Sequence, residues 1–160
     1  MRLVPSRRLT GRVNPAVATV ALAVTAVDAL AKAAARHSLA HRDVHVAGAV
    51  WLRLRYNTGV SFSFHAAGGT LTTVATVAIA LVVVVVGLHA AAGVPAVGFG
   101  LLIGGGVANV IDRLAASPHQ VTDFIALGGL PVFNLADVAV TAGFLVLLVV
   151  ALRGEALLAP

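Results

Sequence analysis

GGGVANVIDRLAASPHQVTDFIALGGLPVFNLAD, residues 104–137, decides how the rest of the chain is read. It carries Asp112, Asp123 and Asp137, three of the five aspartates of a chain whose only glutamate is Glu155. Most of the residues around it are apolar, and a carboxylate beside hydrocarbon is costly enough to be a functional candidate by default. Asp123 and Asp137 bracket a connection in which Gly128, Gly129 and Pro131 can fold the chain back. Two carboxylates brought close cannot both ionise cheaply, so they share a proton and titrate as a pair. The charged member can take a proton from water while the protonated one polarises a peptide carbonyl. Asp123 and Asp137 are therefore the expected catalytic dyad. Asp112 suits the role less, because adjacent Arg113 offers it an ion-pair partner. Arg113 and Asn109 are expected to orient the dyad from behind.

The composition fixes the setting. Of 160 residues, 59% are hydrophobic and 11% charged, whereas a soluble domain carries about 25% charged residues. This is the profile of an integral membrane protein. The absence of cysteine excludes disulfides, a thiol nucleophile and a thiolate metal site. The net charge of +5 does not point to nucleic acid, because the arginines flank apolar segments instead of forming one patch. Lipid headgroups and membrane topology account for them better.

Four spans follow from hydropathy and length, at about 16–35, 70–92, 94–113 and 135–152, within a single membrane domain over 1–160. The stretches at about 36–69 and 114–134 lie outside the bilayer. Residues 1–14 form a basic tail. The first span has a rival reading as a cleavable signal peptide. Against that reading stand Asp28 and Lys32, which share a helix face at four-residue spacing and can pair. From Ala16 they sit roughly 18 and 24 Å along the helix. Residues 50–56 partly alternate polar and apolar, 57–59 read as a turn, and 60–64 read as a second strand. These suggest a small sheet at the membrane surface, where Trp51 and Tyr56 are favoured. His37, His41 and His45 recur every four residues. A solvated face accounts for them better than a metal site, since no further ligand is evident. In the third span Gly100, Gly104 and Ala108 recur every four residues, which lets another helix approach.

Four spans put both termini on one side. The four arginines of the tail favour the cytoplasm, although Arg36, Arg42, Arg53, Arg55 and Arg113 would lie outside. Parity then gathers Asp28, Lys32, Asn109, Asp112, Arg113, Asp123, Asn134 and Asp137 at one membrane face. A scaffold has little reason to collect so many polar groups at one level.

Several ordered motifs resemble those of the bacterial lipoprotein signal peptidase, or signal peptidase II, family. They are Asp28 with Lys32, Asn57-Thr58-Gly59-Val60-Ser61-Phe62, Gly104-Gly105 through Asn109-Val110-Ile111-Asp112-Arg113, Val121-Thr122-Asp123-Phe124-Ile125, and Phe133-Asn134-Leu135-Ala136-Asp137. The resemblance covers nearly the whole chain. It departs at Gly106 and Ala108, where the family usually has alanine and glycine. It implies a membrane aspartyl endopeptidase that cleaves diacylglyceryl-modified prolipoproteins on the N-terminal side of the lipidated cysteine. It makes Asp123 and Asp137 catalytic, and gives Asp28, Lys32, Asn57, Gly59, Asn109, Arg113 and Asn134 substrate-binding or supporting roles, to which Asp112 is added. The expected fold is an all-α membrane protein of four transmembrane helices with a small extracytoplasmic β-rich element. The expected setting is the bacterial cytoplasmic membrane, with both termini cytoplasmic and the site near the extracytoplasmic face. No cofactor, metal or nucleic acid is expected, and a monomer in contact with membrane lipid is. The alternatives are a small proton-coupled carrier using buried aspartates, which would want its charges spread through the midplane, and a non-enzymatic assembly factor.

Overall fold

The computed structural model describes residues 14–58, 68–115 and 119–159. The basic tail before Asn14, Gly59 and the expected strand at 60–64 lie outside the described residues.

Helix α1, Pro15–Ser38, starts on Asn14, whose side chain accepts from Ala16 N at 3.0 Å, with Pro15 at the first helical position. Both are start signals, since the cap satisfies a free N–H and proline has none to lose. The helix ends on Arg36 and His37, where positive charge suits the negative end of the helix dipole. Helices α2 (Gly68–Gly87), α3 (Val94–Ala115) and α4 (Leu135–Leu152) follow. Helix α3 is the hub, packing most extensively on α4 and α1 and also on α2. Among the described residues three helices, α1, α3 and α4, are long and apolar enough to cross a membrane, and Thr73–Gly87 within α2 is a shorter apolar stretch. Large apolar side chains such as Leu22, Leu30, Ile79, Leu81 and Phe144 point outward from the bundle.

The segments between helices build a three-stranded antiparallel sheet of order β1-β2-β3, from Val44–Ala47, Val50–Asn57 and Val121–Leu127. The hairpin between β1 and β2 turns through Gly48 at φ 50°, a left-handed conformation that glycine adopts without strain. Strand β3 comes from the stretch expected only to connect spans. Its register sets Asn57 opposite Val121, Tyr56 opposite Thr122 and Arg55 opposite Asp123 before an irregularity. Phe124 is buried with Ala35 and Leu39 and seats the sheet on the end of α1. A second cluster of Val17, Ala21, Ala90, Ala96, Phe99, Ile103 and Leu147 fills the opposite half of the bundle. There the chain after α4 returns, with Ala91 N donating to Leu157 O at 2.9 Å. The histidine spacing does not describe one helix face, because α1 stops at Ser38 and His45 lies on β1 with its ring 4.5 Å from that of Trp51.

Candidate active site

The start of α4 fixes Asp137. Asn134 caps the helix, its Oδ1 accepting from Asp137 N at 2.9 Å, and Asp137 Oδ2 accepts in return from Asn134 N at 3.2 Å. This reciprocal box satisfies two of the free N–H groups at a helix start and places a carboxylate where the helix dipole favours negative charge. The other oxygen, Oδ1, accepts from Asn109 Nδ2 at 2.9 Å.

Asp123 stands on β3 and is 2% exposed. Its Oδ1 accepts from Asn134 Nδ2 at 2.7 Å and its Oδ2 from Asn57 Nδ2 at 3.0 Å. Asn134 therefore caps one carboxylate's helix and donates to the other carboxylate. Asn134 Nδ2 also reaches Asn109 Oδ1 at 3.3 Å, which closes a link from Asp123 to Asp137 on both sides. Burial pushes the Asp123 carboxyl up to about 6, and the charge of Asp137 adds to this. The two asparagine donors and the positive charge of Lys32 pull the other way.

Behind the pair lies a layer of charge. Lys32 Nζ meets Asp28 Oδ2 at 2.7 Å, Asn109 Oδ1 at 3.0 Å and Asp112 Oδ2 at 3.2 Å, three oxygens for its three donors. Asp28 and Lys32 are each 1% exposed. Asp28 Oδ2 is held by the lysine's charge without a well-aligned hydrogen bond, and Oδ1 accepts from Ala136 N at 2.8 Å. Asp112 takes Thr122 N at 2.9 Å and lies 3.6 Å from Arg36. The ion pair expected between Asp112 and its neighbour Arg113 does not form. Adjacent residues on a helix point about 100° apart, from 3.6 residues per turn, and Asp112 turns toward α1. Arg113 is buried on the other side, reaching His119 O at 3.5 Å, and its charge acts on Asp123, then Asp137, then Asp112.

Asp28, Lys32, Asn57, Asn109, Asp112, Asn134, Asp123 and Asp137 thus join one bonded network, and Arg113 faces it electrostatically. Gly59 lies outside the described residues. Two members are not evident from the sequence reading. Arg36 repeats the four-residue spacing of Asp28 and Lys32, a signal that the sequence does carry. Thr122 becomes visible only with the strand that holds it. Chemically, the site offers one carboxyl whose burial favours the proton and a second, at a helix start, joined to it through two asparagines. Among the described residues no group of three histidines or carboxylates is placed to hold a metal ion. A cavity of about 350 Å³ opens on Asp28, Lys32, Arg36 and Asp112. An apolar groove of about 450 Å³ runs from Asp137 past Phe133 and Thr141 to Leu145.

The family described as signal peptidase (SPase) II matches residues 20–153. The lipoprotein signal peptidase of Mycobacterium leprae is 32% identical over 160 residues, covering 95% of this chain and 76% of that protein. Those of Rhodococcus jostii and Streptomyces coelicolor are each 36% identical, over 66% and 71% of this chain. The chain spans only 55% and 58% of the length of these last two. Two solved structures of a bacterial membrane enzyme, obtained by the in meso method, share the fold at 22% identity. One has a TM-score of 0.72 over 87% of this chain and 88% of its own, the other 0.75 over 87% and 94%.

Proposed function

Because this chain belongs to the signal peptidase II family, we propose that it is a membrane aspartyl endopeptidase removing signal peptides from diacylglyceryl-modified prolipoproteins. The observation that carries this reading is the double link between Asp123 and Asp137 through Asn134 and Asn109. Asp137 is the base. It sits in the capping box at the start of α4, and it takes a proton from water as the oxygen attacks the scissile carbonyl carbon. Asp123 is the acid. It gives its proton to the carbonyl oxygen, forming a tetrahedral diol. Collapse of the diol breaks the C–N bond on the N-terminal side of the lipidated cysteine. Asp137 then protonates the departing amine and Asp123 recovers its proton, so one water is consumed and the pair is reset. No cofactor enters the scheme.

In this reading Asp28, Lys32, Asn57, Gly59, Asn109, Asp112, Arg113 and Asn134 support the pair or contact substrate. The chain is a monomeric, multi-pass domain over 1–160 with four spans, α2 included. Both termini are cytoplasmic and the site lies near the extracytoplasmic face of the bacterial membrane. The clustering of charge at one end of the bundle favours this over a proton-coupled carrier. Cleavage of a purified diacylglyceryl prolipoprotein by wild type and by Asp123→Asn tests it: product from the first and none from the second is expected. Equal product from both would remove the dyad.

A further inference from the structure

Resting on the reading of Asp123 and Asp137 as the reacting pair, we infer that Arg36 and Thr122 are positioning residues that, with Asp112, lock strand β3 and so aim Asp123. Strand β3 pairs with β2 on one side. On its other edge Phe124 and Ile125 donate to Phe133 O at 3.0 and 2.8 Å, and Phe133 N donates to Ile125 O at 2.9 Å. The Thr122 N–H goes instead to a side chain of α3, donating to Asp112 Oδ2 at 2.9 Å. The hydroxyl of the same residue accepts from Arg36 Nη1 of α1 at 2.8 Å. Two helices therefore grip one residue, by backbone and by side chain, and the next residue is Asp123. Planar peptides leave little slack between neighbours, so a shift at Thr122 is passed on to Asp123.

The other carboxylate is held in a parallel way. Asp28 accepts from Ala136 N, the residue before Asp137. Lys32 touches both Asp28 and Asp112. One charge network thus reaches both carriers of the pair at the residue just before the carboxylate. The Arg36 end of it is poorly suited to holding the fold together. Arg36 is 42% exposed, and ion pairs in contact with water contribute little stability. Thr122, in contrast, is 3% exposed, so its hydroxyl is sheltered and its geometry defined. A contact that is weak as a brace but specific in direction belongs to aiming.

The test is steady-state and single-turnover cleavage of a diacylglyceryl-modified precursor by the full chain in detergent. It compares wild type, Thr122→Val, Thr122→Ser, Arg36→Ala, the Arg36→Ala/Thr122→Val double variant and Asp123→Asn, with rates normalised to folded protein. Thr122→Val and Arg36→Ala should each lower kcat by about tenfold to a hundredfold, as small misplacements of a reacting group do, with KM little changed. Thr122→Ser keeps the hydroxyl and should recover most of the rate. The double variant should be no worse than the poorer single one, because both cut the same link. Wild-type kcat in Thr122→Val, a loss confined to KM, or losses that multiply in the double variant would overturn the clamp. Should Asp123→Asn be inactive while Thr122→Val turns over normally, the clamp alone fails. Should Asp123→Asn turn over normally, the assignment of the pair fails and the clamp with it.

Discussion

Along α3 the bundle is held in two opposite ways. In its first turns the helices close through missing side chains. A Cβ on Gly104 would meet Ala21 O and Val24 Cβ at 2.7 Å, and one on Gly143 of α4 would meet Gly98 O at 2.7 Å. Further along, at Asn109, Asp112 and Arg113, the same helix meets its neighbours through amides and charges. The first region works by contact and is indifferent to chemistry as long as volume is kept. The second depends on which atoms donate and accept. The seam delivers the backbones to fixed positions, and the polar layer uses those positions to set two carboxylates. Substitutions should separate the regions: loss of folded protein in the seam, loss of turnover in the layer.

The sharpest break concerns the pair itself. Asp123→Asn and Asp137→Asn keep shape and one accepting oxygen but fix one member neutral and unable to exchange its proton. Each should lower single-turnover cleavage by roughly a thousandfold or more, at the scale of lost acid–base catalysis. The double variant should be little worse, as for groups that act as a unit. Both singles should melt near wild type, and a melting loss in proportion to the activity loss would return Asp123 to the scaffold.

Next in size is Asp28→Ala, which belongs to both regions. It strips Lys32 of one of its two carboxylate partners and leaves Ala136 N without its acceptor. Breaking a buried pair from one side costs about 3–5 kcal/mol, visible as lost accumulation and a lower melting temperature in detergent. Asp28→Leu with Lys32→Met should restore part of that stability, since apolar replacements spare the desolvation cost although Ala136 N still lacks its acceptor, while turnover stays low. Recovery of turnover along with stability would make the ion pair a brace and nothing more.

A smaller effect separates two adjacent glycines. A Cβ on Gly105 would collide with Ala136 O, whereas one on Gly106 would meet only Ala80 Cβ at 3.8 Å, an ordinary contact. Gly105→Ala should cost about 1–3 kcal/mol, as overpacking does, and Gly106→Ala should be near neutral. Thermal unfolding of both variants reads the difference directly. Equal melting temperatures would mean that α3 and α4 approach less closely there than the backbone of Ala136 implies.

The two regions are not equally legible in the sequence, for physical reasons. Helices α1, α3 and α4 can be read because a predominantly apolar run of membrane length points to hydrocarbon. The Asp28–Lys32 pair can be read because four-residue spacing on a helix fixes a shared face. The polar groups expected at one level do meet in one network. Strand β3 is hidden. Its residues are covered at nearly every position, so no alternation marks it, and its partner Asn57 lies far away in sequence. The partner of Asp112 is hidden in a different way. Chain adjacency suggests Arg113, but direction around the helix decides contacts, and Asp112 faces Lys32 and Arg36 on α1. The four-residue step from Lys32 to Arg36 already implies that those two share the face that receives it.

The smallest effect tests how the layer tunes its own chemistry. Burial holds the Asp123 carboxyl at about 6, against donors that favour its charged form. The reaction needs one proton on the pair. As pH rises through about 6 that proton leaves, two charges face each other, and kcat/KM, which reports the free enzyme, should fall. Asn57 donates to Asp123 Oδ2 and so stabilises the ionised carboxyl. Removing that donor in Asn57→Ala makes ionisation harder, so the alkaline limb should move to higher pH. The pH-independent rate should drop only modestly, since Asn134 still donates to the other oxygen. A variant outside the polar layer such as Gly106→Ala should leave the limb where it is. If Asn57→Ala moves the limb down, or not at all, the proton that matters does not sit on Asp123, and Asp137 becomes the acid of the pair.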